Sequence, residues 1–172
     1  MKFLGKCVVF LLAVVGMSFA GAQVWAGQPH ESLVPLLVNL DGWKADAGTG
    51  MSLASDTMKM ITAHRSYNKG KKQQIVVDVL VNSGPPPAHR LKESVMENEE
   101  KIVRTSKIDG FWVSTTNNNK TKVGEVYVVL SQNSQTHALI IFRFINLDEK
   151  EAMEIAKKFN WKTLEKATSK LL

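Results

Sequence analysis

Residues 136–145 have the sequence THALIIFRFI, the most hydrophobic strand-like segment of the chain. Successive side chains of a β-strand point to opposite faces of the sheet. One face of this segment takes Ala138, Ile140, Phe142 and Phe144. The other face takes Leu139, Ile141, Arg143 and Ile145. Apolar side chains on both faces are typical of a strand buried at the centre of a sheet, so we predict a central strand here.

A second segment, residues 73–81, has the same two-sided pattern. One face takes Ile75, Val77, Val79 and Val81, which recur at period two. The other face takes Val76, Asp78 and Leu80. The turn-forming residues around Gly70 and the Asp109-Gly110 pair predict hairpins. The remaining predicted strands are residues 43–46, 59–67, 101–107, 111–116 and 122–130, with a turn at Gly48-Thr49-Gly50.

Three helices are predicted around these strands. The first covers residues 32–40, with Ser32 as its N-cap. The second starts near Leu91 and precedes the strands that begin at Lys101. Leu91 and Val95, with Asn98 and Ile102, trace one stripe at spacings of three and four. The third begins at Asp148, which has Glu151 three residues on as in a capping box, and ends near Asn160. A short terminal turn follows from Trp161.

This order of elements predicts an α+β fold with a mainly antiparallel sheet of about six or seven strands and helices packed on its faces. The whole of residues 27–172 then forms one domain. Asp41-Gly42-Trp43, the Ile108-Asp109-Gly110-Phe111 hairpin, the long apolar strand and the last amphipathic helix resemble the Mog1/PsbP-like α/β/α sandwich group, over most of 33–167. The resemblance implies an accessory or partner-binding protein and carries over no catalytic residue. A cystatin-like or other helix-on-sheet fold remains an alternative.

The first 26 residues have the pattern of a secretory signal peptide. Lys2 and Lys6 precede an apolar run, and small residues lead up to Ala26. We expect cleavage before Gly27 and a mature protein that is periplasmic or secreted. An uncleaved membrane anchor is the alternative, although about 20 apolar residues are needed to span a bilayer and this run is shorter. The single cysteine, Cys7, lies in the leader, so the mature chain has no thiol chemistry.

Charge and motifs narrow the function classes. The formal net charge of +6 falls to +4 without Lys2 and Lys6. Such a mild excess argues against a nucleic-acid partner and supports at most peripheral contact with an anionic membrane. No catalytic residues are predicted, because the segment from Gly50 to Ala54 lacks the second glycine of a nucleophile elbow. An enzymatic function remains an alternative only because catalytic groups need not be neighbours in sequence.

Two clusters are candidate sites. Met51, Met58, Met60 and His64 offer the thioether and imidazole ligands that suit Cu(I) outside the cytoplasm, although methionines also fill irregular core edges.

Lys69, Lys71 and Lys72 surround a hairpin tip, and they could attract an anionic lipid head group or an acidic protein face. The alternative is that these lysines only keep the loop soluble. The sequence therefore predicts an exported, non-catalytic accessory domain of the cell envelope that binds an unidentified envelope protein or ligand. A copper-binding protein is the alternative.

Overall fold

One antiparallel sheet dominates the structure. The computed structural model describes residues 27–55, 58–85 and 91–172, and the predicted leader lies outside these ranges. The strands are β1 (Lys44–Ala45), β2 (Thr49–Ala54), β3 (Lys59–Lys69), β4 (Gln73–Ser83), β5 (Ser94–Glu97), β6 (Lys101–Ile108), β7 (Phe111–Asn118), β8 (Val123–Gln132) and β9 (Thr136–Ile145). The α-helices are α1 (Glu149–Ala156) and α2 (Trp161–Ser169), and two 3-10 helices cover Pro29–Ser32 and Val34–Leu36.

The strand order is β1-β3-β4-β9-β8-β7-β6-β5, and β2 also pairs with β3. Strand β9 therefore lies between β4 and β8, which confirms the predicted central strand. The other strands predicted from residue 59 onward are confirmed too, with small differences at their ends. Antiparallel register fixes two faces. We call the face with Val79, Ile140 and Val128 the inner face, and the face with Leu80 and Leu139 the outer face.

The predicted α+β fold with helices on the faces of a six- or seven-stranded sheet is wrong. The fold is predominantly β, with nine strands and only short helices among the described residues. Both α-helices supply side chains to the core on the inner face, and neither supplies any to the apolar cluster on the outer face.

The helix predicted to begin near Leu91 is not formed. Residues 94–97 are instead the edge strand β5, which turns back onto β6. The side-chain oxygen of Asn98 accepts hydrogen bonds from the backbone N–H groups of Glu100 and Lys101, at 3.0 and 2.8 Å. This local turn competes with a helix, and the exposed edge of β6 supplies a partner that the helical spacing does not reveal.

Two predictions before residue 55 also fail. Residues 32–40 form only 3-10 turns, one of which contains Pro35, instead of a continuous helix. The predicted turn at 48–50 is the start of β2, which pairs with β3. A Cβ at Gly50 would lie 2.6 Å from the carbonyl oxygen of Thr62. Glycine is therefore needed there for close approach of two strands and does not mark a turn.

The C-terminal helices close the inner core. Asp148 is the N-cap of α1, and its carboxylate accepts a hydrogen bond from the Glu151 N–H at 2.8 Å, which confirms that part of the prediction. The predicted terminal turn is a nine-residue helix, α2. The Trp161 indole N–H donates to the Ala156 carbonyl at 2.9 Å and fixes the angle between the helices, while Phe159 packs edge-on against Phe142.

Tyr67 lies at the centre of this core with no solvent exposure. Its hydroxyl donates to the Val38 carbonyl at 2.8 Å. Burial raises the pKa of Tyr67 from its ordinary value of 10.0 to about 12, against a smaller lowering by Arg65. Because the folded pKa is raised, stability is complete below pH 10 and falls between pH 10 and pH 12, where only the unfolded chain loses the proton.

We predict that Tyr67→Phe lowers the free energy of unfolding by about 1 kcal/mol at pH 8, because it leaves the Val38 carbonyl unpaired. The native chain loses about 2 kcal/mol of unfolding free energy between pH 10 and pH 12, because Tyr67 ionises in the unfolded chain, and the variant has no such loss. Urea unfolding at pH 8 and pH 12 should show the difference shrinking or reversing with pH. A difference that stays constant across this range would contradict the assigned burial of the hydroxyl.

Candidate functional site

Four charged or titratable side chains cross the outer face. His64 on β3, Asp78 on β4, Arg143 on β9 and Glu125 on β8 form what we call the charged ladder. The registers place His64 opposite Asp78 and Glu125 opposite Arg143. The period of two places these four side chains on the outer face, because at least one sequence neighbour of each lies in the inner core, for example Ala63, Val77 and Phe142.

Asp78 is the centre of the charged ladder. One carboxylate oxygen lies 2.8 Å from Nδ1 of His64, and the other accepts a hydrogen bond from Nη1 of Arg143 at 2.6 Å. Nε of Arg143 lies 3.9 Å from a Glu125 carboxylate oxygen. Since a carboxylate accepts, Nδ1 of His64 carries the proton, and Nε2 lies 3.3 Å from the Ser66 hydroxyl. The charged ladder is therefore internally paired, which suits a fixed recognition surface.

Next to the charged ladder the outer face forms a concavity of about 680 Å³, which we call the outer groove. Arg143 and Glu125 line one part of it, and Val76, Val123 and Ile145 give it an apolar floor. Val123 and Ile145 face each other across β8 and β9 and are 43% and 41% exposed. Exposed apolar side chains rimmed by charge are typical of a surface that contacts another molecule.

The predicted copper ligands are partly brought together. Met51 pairs with Thr62, which lies between Met60 and His64 on the same strand face. These three candidate ligands therefore share the outer face, whereas Met58 precedes β3 and is exposed. Among the described residues no three His, Cys, Asp or Glu side chains are grouped to hold a metal ion. A site here would depend on the two thioethers and on Nε2 of His64.

The predicted lysine cluster lies at the β3–β4 hairpin, beside the outer groove. Lys69, Lys71 and Lys72 are exposed, and the Lys69 ammonium lies 5.7 Å from the centre of the Trp43 ring. Gln74, just beyond the hairpin, pairs with Ile145 of the groove.

Two more lysines, Lys101 and Lys122, lie at the same end of the sheet. We call these five lysines the basic rim: Lys69, Lys71, Lys72, Lys101 and Lys122. None of them forms an ion pair with a residue that the structure describes.

The pairing of Asp78 with Arg143 was not predicted, although a signal exists. Each charge interrupts an apolar strand at a position that faces away from the core. Two opposite charges on strands that are both predicted to be central would be expected to meet, since an unpaired charge on a half-buried face is costly. What the sequence lacks is the register, which decides that Arg143 reaches Asp78 and Glu125 together.

A second polar cluster, also not predicted, lies on the inner face beside α1. Glu149 accepts hydrogen bonds from Arg104 at 2.5 Å and from the Thr115 hydroxyl at 2.6 Å. These residues line a cavity of about 670 Å³ together with Asn117. Because Glu149 is already satisfied by two partners, this cluster ties α1 to β6 and β7 and serves stability.

No protein-family model, curated protein or solved structure matches this chain. Within the described ranges no helix is long and apolar enough to cross a membrane.

A double-mutant cycle tests the charged ladder. We predict a coupling energy of about 0.5 to 1 kcal/mol between Asp78→Ala and Arg143→Ala, because the pair is short but partly solvated. The exposed Lys120–Glu100 pair is the reference and should couple more weakly. Urea unfolding of the single and double variants measures both, and the coupling should fall in 1 M salt. Coupling no greater than the reference would contradict the central role of Asp78.

Proposed function

We propose that this protein is an exported, non-catalytic binding domain of the cell envelope, and that its outer groove and basic rim contact the partner. The observation that carries the proposal is a concavity with an apolar floor on the sheet face that the described helices leave uncovered. It lies at the end of the sheet that carries five lysines, none of which forms an ion pair with a described residue. The signal-peptide pattern of residues 1–26 supports the export.

The chemistry of the groove favours binding over catalysis. Asp78 is held by two partners, and Arg143 is held between two carboxylates. Groups that are neutralised in this way give a fixed pattern of charge, which provides specificity and orientation in recognition. The apolar floor of Val76, Val123 and Ile145 adds the area that can be buried on contact.

The complementary partner is an acidic protein face that presents an apolar side chain to Val123 and Ile145. The ammonium groups of the basic rim would steer such a face to the groove, apart from that of Lys69, which lies over Trp43 on the inner face. The steering weakens with salt. An anionic membrane could satisfy the lysines but would not use the bounded groove floor. For that reason we favour a protein partner, and a membrane is an outcome of the test.

We predict that Lys69→Ser, Lys71→Ser and Lys72→Ser together reduce capture of partner from envelope extract at low salt, and that Ile145→Ser reduces it further. The matched control replaces Lys158, Lys162 and Lys166, on the helical side, with serine. Capture is measured by quantitative mass spectrometry with immobilised residues 27–172. Equal capture by the hairpin variant and the native protein would remove the hairpin lysines from the interface.

A parallel assay with anionic and neutral vesicles identifies the source of the negative charge. If the protein binds neither the anionic nor the neutral vesicles, the result supports a protein partner. Hairpin-dependent retention on anionic vesicles, without loss of any captured protein, would replace the protein partner with a lipid surface.

Copper binding is the second candidate function, and the register of β2 with β3 favours it. Met51, Met60 and His64 share one face, and the Asp78 carboxylate at Nδ1 orients the His64 ring. Nε2, which lies 3.3 Å from the Ser66 hydroxyl, would exchange that contact for the metal. Such carboxylate–histidine pairs are usual next to protein-bound metals.

Anaerobic Cu(I) titration tests this candidate. If it is correct, one equivalent binds, and Met51→Leu with Met60→Leu abolishes the binding because both thioethers are lost. Met96→Leu, an exposed methionine at the other side of the sheet, is the control and should bind normally. Equal binding by all three proteins would assign the copper to other groups.

A further inference from the structure

Among the residues that the structure describes, β5 is the last strand of the sheet and has one unpaired edge. No described strand pairs with its outer side. It carries the two most exposed large apolar side chains in the described part of the chain, Val95 at 67% and Met96 at 59%. Open apolar edges are templates for another strand, and proteins usually protect them with lysine, proline or a covering element.

The hydrogen-bond pattern shows which backbone groups face outward. The N–H of Asn98 donates to the carbonyl of Lys101 at 3.0 Å, and the register pairs Met96 with Val103 two residues earlier. Hydrogen-bonded pairs alternate with non-bonded pairs along an antiparallel ladder. Met96 therefore bonds to β6, whereas the N–H and C=O groups of Val95 and Glu97 point away from the sheet.

Acidic side chains lie along this edge and disfavour antiparallel pairing with a second copy. When two β5 edges pair in antiparallel fashion, the inner face of one copy must adjoin the inner face of the other. The pairing must also use the outward backbone N–H and C=O groups of Val95 and Glu97. The three such registers place Glu93 opposite Glu97, Glu93 opposite Glu99, or Glu97 opposite its copy. Like charges directly opposite each other are destabilising.

We propose that the outer edge of β5 binds an extended segment of a partner protein by strand addition, with basic residues opposite Glu93 and Glu97 and apolar residues beside Val95 and Met96. Backbone pairing would supply the affinity, and the alternating side chains would supply the specificity. The residues of β5 do not line the outer groove, so strand addition at this edge does not require the proposed function to be correct.

The test uses an acetylated, amidated peptide of sequence KVVTK, which places lysines opposite Glu97 and Glu93 in an antiparallel arrangement. Controls are the charge-reversed peptide EVVTE and a KVVTK peptide N-methylated at its second valine, which cannot donate to the edge. NMR titration of the protein follows amide shifts, and hydrogen exchange is measured with and without peptide. We expect shifts confined to β5 and slower exchange of the Val95 and Glu97 amides with KVVTK alone.

Two variants separate edge pairing from general attraction. Val95→Pro removes an outward N–H while keeping the Met96 bonds to β6, and it should lose the shifts with its unfolding transition preserved. Glu97→Lys keeps the backbone intact and should weaken KVVTK while strengthening EVVTE.

Equal binding of the N-methylated peptide, or shifts at the outer groove instead of β5, would overturn the proposal. Binding by Glu97→Lys that matches the native protein for both peptides would also overturn it. Dimerisation of the native protein through β5, seen as concentration-dependent shifts without peptide, would replace the peptide partner with a second copy.

Discussion

The pairing of β9 with β4 on one side and with β8 on the other determines the rest of the structure. These registers place Val79, Ile140 and Val128 in one row on the inner face, and they place Leu80, Leu139 and Val129 in the row behind it. A shift of one residue would exchange the two faces. It would turn Arg143 into the core and the phenylalanines of β9 into solvent, so the hydrophobic pattern itself holds the register.

The two faces have different consequences. Helices α1 and α2 close the inner face, where Phe159 and Trp161 join the core. The outer face keeps only a small apolar cluster, so charged groups near its open end remain in contact with water. Asp78 satisfies both Arg143 and His64 there. The same register that buries β9 therefore produces a fixed pattern of charge beside exposed Val123 and Ile145.

The sequence was sufficient for the central strands and for the N-cap of α1, because those signals are local. Alternation over 136–145 and the Asp148–Glu151 spacing depend on a few neighbouring residues. The sequence was insufficient for β5, because the apolar spacing there favoured a helix, whereas the backbone pairs with the edge of the neighbouring strand β6. The charged ladder also depends on strand neighbours far apart in the chain, because Asp78 and Arg143 are separated by 65 positions in the sequence. The position of Met51 on the same face as Met60 and His64 depends on the pairing of β2 with β3, where the sequence indicated a turn.

Site-specific photo-crosslinking in the native envelope tests most directly whether the outer face is the contact surface. A photoreactive amino acid at Ile145 samples the outer groove, and the same group at Lys158 samples the helical side. The proposed function predicts a discrete crosslinked protein from Ile145 that is absent from Lys158. Crosslinking from Lys158 alone, or the same products from both positions, would contradict it.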